Sequence, residues 1–147
     1  MSLRRVIPLL TTLACLGCAT APMSFTSPTP RLAEDAYSCS LRKVNELGYT
    51  LTNTSKEAGF ITATKQTSGM GTKLLTGSEY HDQLTISIFG DSASGRKIRA
   101  TAGRTDRKSN LFGTSSQAMK PSEAGKADAN ALLQSCADGS MPTQGLN

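Results

Sequence analysis

Tyr80-His81-Asp82-Gln83-Leu84-Thr85-Ile86-Ser87-Ile88-Phe89 alternates polar and apolar residues and places Leu84, Ile86 and Ile88 on one face. Side chains of a strand point alternately to its two sides, so a period of two marks a β-strand with one buried face. Arg96 to Thr105 repeats the pattern with Ile98, Ala100 and Ala102. Between the two runs, Gly90-Asp91-Ser92-Ala93-Ser94-Gly95 supplies the residue types that reverse a chain. An antiparallel hairpin with one apolar and one polar face is predicted.

Upstream, Tyr49 to Thr54 and Phe60 to Thr67 are two further β-prone runs, joined by Ser55-Lys56-Glu57-Ala58-Gly59, and predict a second hairpin. Between the hairpins, Ser68-Gly69-Met70-Gly71 to Gly77-Ser78 is broken by glycine and serine around Lys73-Leu74-Leu75. This predicts a long loop over 68–79 that exposes both leucines. Residues 32–47 set Ala33, Ala36, Tyr37, Leu41, Val44 and Leu47 at helical spacing ahead of Gly48, which predicts an amphipathic helix. After a polar connection holding Leu111-Phe112-Gly113, Pro121 opens a second helix with Ala124, Ala127, Ala131 and Leu132 on one stripe, ending near Cys136. The expected fold is a single α+β domain over residues 32–139: helix, four-stranded antiparallel sheet, helix, with both helices on one face.

The N-terminal region reads as an address. Met-Ser-Leu-Arg4-Arg5, an apolar run from Val6 to Leu16 and then Gly17-Cys18 follow the charged, apolar, small order of a secretory leader. The run is shorter than the roughly 20 apolar residues that span a bilayer. Leu16-Gly17-Cys18-Ala19-Thr20 resembles the lipobox of bacterial lipoproteins, although Cys15 stands where an aliphatic residue is usual. The resemblance implies that residues 1–17 are a signal peptide, that the Cys18 thiol carries a diacylglyceryl group, and that cleavage occurs just before it. Leu13-Ala14-Cys15 offers a rival site. Anchoring at Cys15 would leave three cysteines after cleavage and Cys18 leaves two besides the anchor, so parity in an oxidising compartment favours Cys18. By the same resemblance, Ala19 after the anchor implies a lipid-anchored envelope protein, at the outer membrane facing the periplasm rather than at the inner membrane. Ala19 to Arg31 is Pro-, Thr- and Ser-rich with Pro22, Pro28 and Pro30, so residues 18–31 are expected to be an extended tether. Residues 140–147 are expected to be a disordered tail.

With 147 residues the chain has room for one ordinary domain besides a leader and a spacer. Aromatics are 5% of residues and Trp is absent, so the core must be aliphatic. A domain of this kind gains from a covalent cross-link. Cys39, in the first helix, and Cys136, at the end of the last, have no other partner in the mature chain, and a disulfide between them is expected. It would close a loop of 97 residues. Chain entropy gives such a closure roughly 4–5 kcal/mol. At 100° per residue Cys39 lies about 120° from the middle of its helix's apolar stripe, so the bridge is expected along the flank of the domain.

Candidate chemistry is sparse. Gly90-Asp91-Ser92 resembles the nucleophile block of the GDSL hydrolases, but Ala93 replaces the family's Leu, and the downstream Asp-x-x-His block is missing. His81 and Asp82 are adjacent in a strand and so point to opposite faces, which prevents an acid–base pair. No Cys or His cluster has metal-ligand spacing. Gly69-Met70-Gly71 has Leu74 where a dinucleotide fingerprint needs its third glycine. No catalytic residue, metal or cofactor is expected.

The formal charge is +5, of which Arg4 and Arg5 in the leader contribute two, leaving about +3. The aromatics Phe25, Tyr37, Tyr49, Phe60, Tyr80, Phe89 and Phe112 are scattered rather than set among basic residues, which argues against a nucleic-acid partner. Arg96, Lys97, Arg99, Arg104, Arg107 and Lys108 form the one local concentration of charge, with Asp106 among them. They are a candidate contact for anionic envelope material. As a whole the chain resembles the small lipoproteins common in Gram-negative genomes, a class defined by export rather than by activity. That resemblance implies no catalytic or binding residues; the expected role is a non-enzymatic accessory or adaptor subunit acting through its sheet face or the 68–79 loop, and the alternative is a binding module for an anionic polymer or lipid.

Overall fold

The computed structural model describes residues 21–110 and 113–137. In chain order the elements are β1 (Met23–Pro28), α1 (Ala33–Glu46), β2 (Thr50–Ser55), β3 (Phe60–Gln66), α2 (Met70–Thr76), β4 (Ser78–Phe89), β5 (Lys97–Asn110), β6 (Gly113–Met119) and α3 (Glu123–Ala137). The leader, Cys18 and the 140–147 tail fall outside the described residues.

The strands form one six-stranded antiparallel sheet, ordered β1-β5-β4-β3-β2, with β6 also paired to β5. This corrects the expected four-stranded sheet with two helices: among the described residues the fold is mostly sheet and carries three helices. Both added strands lie on one side of β5, β1 along Lys97–Ala102 and β6 along Arg104–Asn110. Gly103 falls between them. β1 takes Met23–Pro28 out of the expected 18–31 tether and makes it part of the sheet. Its Phe25 turns to the core side opposite Ala100, and its one proline, Pro28, sits on an edge strand, where a missing N–H costs no ladder bond. β6, Gly-Thr-Ser-Ser-Gln-Ala-Met, has no apolar alternation; it forms on the bare edge that β5 offers by running to Asn110.

Leu84, Ile86, Ile88, Ile98, Ala100 and Ala102 are buried with Ile61 and Ala63 on one side of the sheet, beneath α1 and α3. Ala100 and Ala102 are small, which lets α3 lie close over β5. The buried stripe of α3 is Gly125, Ala129, Leu132, Leu133, Cys136 and Ala137. Ala124 and Ala127, expected inward, are exposed, because burying two leucines outweighs burying alanines and so sets the helix's rotation. At the β2–β3 turn, Gly59 has φ +60°, and a Cβ there would lie 2.6 Å from the Ile88 carbonyl oxygen. Its own carbonyl accepts the Ile88 N–H at 2.8 Å.

Cys39 and Cys136 are joined, with Cα atoms 5.7 Å apart. Both are buried in the core, so the bridge runs through the interior rather than along the flank. α1 is rotated from its expected stripe to bury Ala36, Tyr37, Cys39, Ser40 and Val44. Ser40 tolerates this because its hydroxyl donates to the Ala36 carbonyl at 2.8 Å. The 68–79 segment is not all loop: it contains α2, ended by Gly77 in the left-handed conformation at φ 66°. Leu74 and Leu75 are 80% and 88% exposed, as the loop reading expected of them. Among the described residues no helix is long and apolar enough to cross a membrane.

Candidate functional site: the uncovered face of the sheet

α1 and α3 cover the side of the sheet that carries Leu84 and Ala102, so the opposite side, with the odd-numbered residues of β4 and β5, is left open. Its middle is a row of small hydroxylated side chains running from β3 to β1, Thr62, Thr85, Thr101 and Ser24. The last two share a hydrogen bond at 2.8 Å. Threonine suits a pleated surface wetted on one side.

Parity divides the basic cluster. Lys97, Arg99 and Arg107 project from the open face and are exposed. The Arg99 guanidinium lies 4.9 Å from the centre of the Phe89 ring, a cation–π contact, and Phe60 projects from the same end of the face opposite Ser87. Arg104 pairs with Asp82 on the helix side, with Nε 3.6 Å from Oδ1, and stacks 4.7 Å above the Tyr80 ring. Arg96 precedes β5 and donates through Nη1 to the Arg31 carbonyl at 2.7 Å, which ties the start of α1 to the sheet. Lys108 turns to Asp106 at 3.7 Å. The expected anionic contact over Arg96, Lys97, Arg99, Arg104, Arg107 and Lys108 is therefore not one surface. Two of its members, Lys97 and Arg99, stay together, and Phe60 and Phe89 join them. These phenylalanines were missed in the sequence because they belong to other strands, although the alternation already placed Phe89 on the polar face.

Asp106, the acid that diluted the cluster in sequence, is buried on the helix side. In β4 and β5 the one carboxylate left on the open face is Glu79, ion-paired to Lys73 of α2. The Lys73 ammonium donates to Glu79 and holds its carboxyl below the usual range.

At the helix side's polar end, Lys65, Asp82 and Arg104 are in register on β3, β4 and β5. Asp82 is 1% exposed. Its Oδ2 accepts from Ser122, the residue before α3, at 2.6 Å, and Ser122 accepts the Gly125 N–H at 2.8 Å. A Cβ on Gly125 would stand 3.2 Å from Ser122 Oγ and 3.6 Å from Asp82 Cγ. Glycine costs about 1 kcal/mol inside a helix, and here it leaves room for the Ser122 hydroxyl that bridges to the carboxylate. Lys65 donates to the Leu47 carbonyl at 2.8 Å and lies 3.5 Å from Asp128, whose Oδ2 accepts from the Tyr49 hydroxyl at 3.1 Å. Burial, and then the neighbouring Asp128 charge, push the Tyr49 hydroxyl well above its ordinary value. Each of these groups fastens a helix to the sheet.

His81 sits on the open face, 3.8 Å from Glu79, and Asp82 on the other, so the two do not converge. Asp91 of Gly90-Asp91-Ser92 is committed to its own turn: Oδ1 accepts from the Ala93 N–H, the Ser94 N–H and the Ser94 hydroxyl. These bonds hold its carboxyl below the ordinary range. Gly90, at φ +86°, lies where a Cβ would meet the Gly95 carbonyl at 2.5 Å, so the glycine serves the turn. Among the described residues no group of three or more Cys, His, Asp or Glu side chains could hold a metal ion. The chain matches no protein-family model, and no curated protein matches its sequence.

Proposed function

We propose that this chain is a non-enzymatic envelope lipoprotein, held at a membrane through Cys18, that serves as an accessory subunit by docking a protein partner on the open face of its sheet. The observation that carries the reading is the placement of Phe60, Phe89, Lys97 and Arg99 together at one uncovered end of that face. Aromatic and arginine side chains grouped on a rigid surface are the usual anchors of protein interfaces. Asp82, Arg104, Lys65, Asp128, Tyr49 and Asp91 are engaged in fastening helices and turns, which supports a binding role over catalysis.

A second reading, a module for anionic envelope polymer or lipid, is favoured by one observation: Asp106 turns away and leaves the open face with an excess of positive charge. One experiment separates the two. The intact protein and the Lys97→Glu, Arg99→Glu double variant are purified from detergent-solubilised membranes at low and high salt. A stoichiometric protein partner, lost in the variant, supports the accessory subunit. Anionic polymer retained at low salt and shed steeply as salt rises supports the second reading. Binding of either kind that ignores both charge reversal and salt removes this end of the face from the account.

A further inference from the structure

Because β1 begins at Met23, only Ala19 to Pro22 separate Cys18 from the sheet. An extended chain covers at most about 3.6 Å per residue, so Cys18 lies within about 18 Å of Met23. β1 and β4 are both antiparallel to β5 and so run in the same direction. Pro22, ahead of Met23, therefore lies beside Gly103, on the side of Met23 toward the end of the sheet where α2 enters β4 at Ser78. Ser78 is opposite Lys108 and Met23 is opposite Ala102, a separation of about 20 Å along β5. The anchor and the α2 end are within reach of one surface.

That end offers what a bilayer surface takes up. Leu74 and Leu75 are far more exposed than any other large apolar side chain described except Leu32. Beside them a hollow of about 230 Å³ is lined by Lys73, Gly77, Glu79, Arg107, Ser109 and Thr114. Lys108, 59% exposed, stands on the other side of the same end. Glu79 is engaged by Lys73 and Asp106 by Lys108, and no carboxylate pairs with Arg107 among the described residues. Apolar side chains flanked by cations are the composition of a surface that settles into the headgroup layer.

We propose that the α2 end is a membrane-contact surface for the bilayer that holds the Cys18 lipid: Leu74 and Leu75 enter the boundary between headgroups and acyl chains, and Lys73, Arg107 and Lys108 meet the phosphates. The inference rests on the lipoprotein reading above. Its effect is orientation, since a tether this short keeps the contact at high local concentration even if it is weak alone. β4 has twelve residues, so Phe89 and Lys97 stand about 37 Å away at the far end, directed into the space where a partner would be met.

The test uses the full-length lipidated protein in vesicles of phosphatidylethanolamine and phosphatidylglycerol. With Cys39 and Cys136 bridged and Cys18 acylated, a Leu75→Cys or a Thr62→Cys substitution supplies a single reactive thiol for an environment-sensitive fluorophore. Brominated lipids are expected to quench most of the emission at position 75 and little at position 62. In a Leu74→Asp, Leu75→Asp variant, a fluorophore at Thr76→Cys should lose its quenching with acylation unchanged. Equal quenching at 62 and 75, or none at 75, in protein whose mass shows the acyl chains overturns the membrane contact and leaves the lipoprotein reading standing. A mass without acyl chains at Cys18 overturns both.

Discussion

The Ser122 hydroxyl is engaged twice, donating to Asp82 Oδ2 at 2.6 Å and accepting from the Gly125 N–H at 2.8 Å, so the residue that caps α3 also binds the helix to the middle of β4. Asp82 in turn faces Arg104 on β5 at 3.6 Å. One buried carboxylate thus joins a helix N-terminus, a central strand and its neighbour, at the point where apolar packing gives way to polar residues.

Removing either half of this arrangement should cost stability by different amounts. Ser122→Ala loses a cap and is expected to cost about 1 kcal/mol. Asp82→Ala strands Arg104, but the Arg104 side chain is 25% exposed and can turn to water, so about 2–3 kcal/mol is expected rather than the full value of a broken buried pair. Urea unfolding of the two single variants and the double variant checks this, and a double-variant cost equal to the sum would show the groups to be uncoupled.

The buried bridge makes a second prediction. Cys39→Ala and Cys136→Ala should each lower stability by roughly 4 kcal/mol, less whatever strain the bridge imposes, and the double variant should cost little more than either. Thermal midpoints of all three give the comparison. Losses that add would contradict a shared bond.

Tyr49 sets an alkaline limit. Its folded hydroxyl holds its proton to higher pH than in the unfolded chain, where tyrosine ionises near 10. The contribution to stability is complete below pH 10 and is lost as pH rises above it, because the unfolded state then releases a proton that the folded state keeps. Tyr49→Phe should reduce stability at pH 8 through the lost bond to Asp128 and show a shallower decline between pH 10 and 12, measured by denaturant midpoints.

For the anchor, Cys18→Ser is expected to abolish metabolic labelling with fatty acid and release the protein from membranes, and Cys15→Ser is expected to do neither. Labelled Cys18→Ser protein would move the lipidation site.

The basic cluster shows how much of the site was legible. Lys97 and Arg99 read outward correctly because they flank Ile98, whose burial fixes the parity of β5. The same parity sends Arg104 inward beside Ala102, so that signal was present in the sequence. Its pairing with Asp82 was not, since register between strands is invisible until the strands are paired.

The β4–β5 hairpin was determined by the sequence itself, because bulky aliphatic residues at every second position have one favourable arrangement, with that face buried. The joining of Cys39 to Cys136 was expected from the sequence on the reading that assigns Cys15 to the leader and Cys18 to the anchor. Tertiary structure alone decided the rest. β1 and β6 carry too little apolar side chain to announce themselves, and they exist because β5 presents an edge of unpaired N–H and C=O groups long enough for both. The rotation of α3, which buries Leu132 and Leu133, was decided by how the helix packs on β5 and β1, a match between surfaces that no single segment contains.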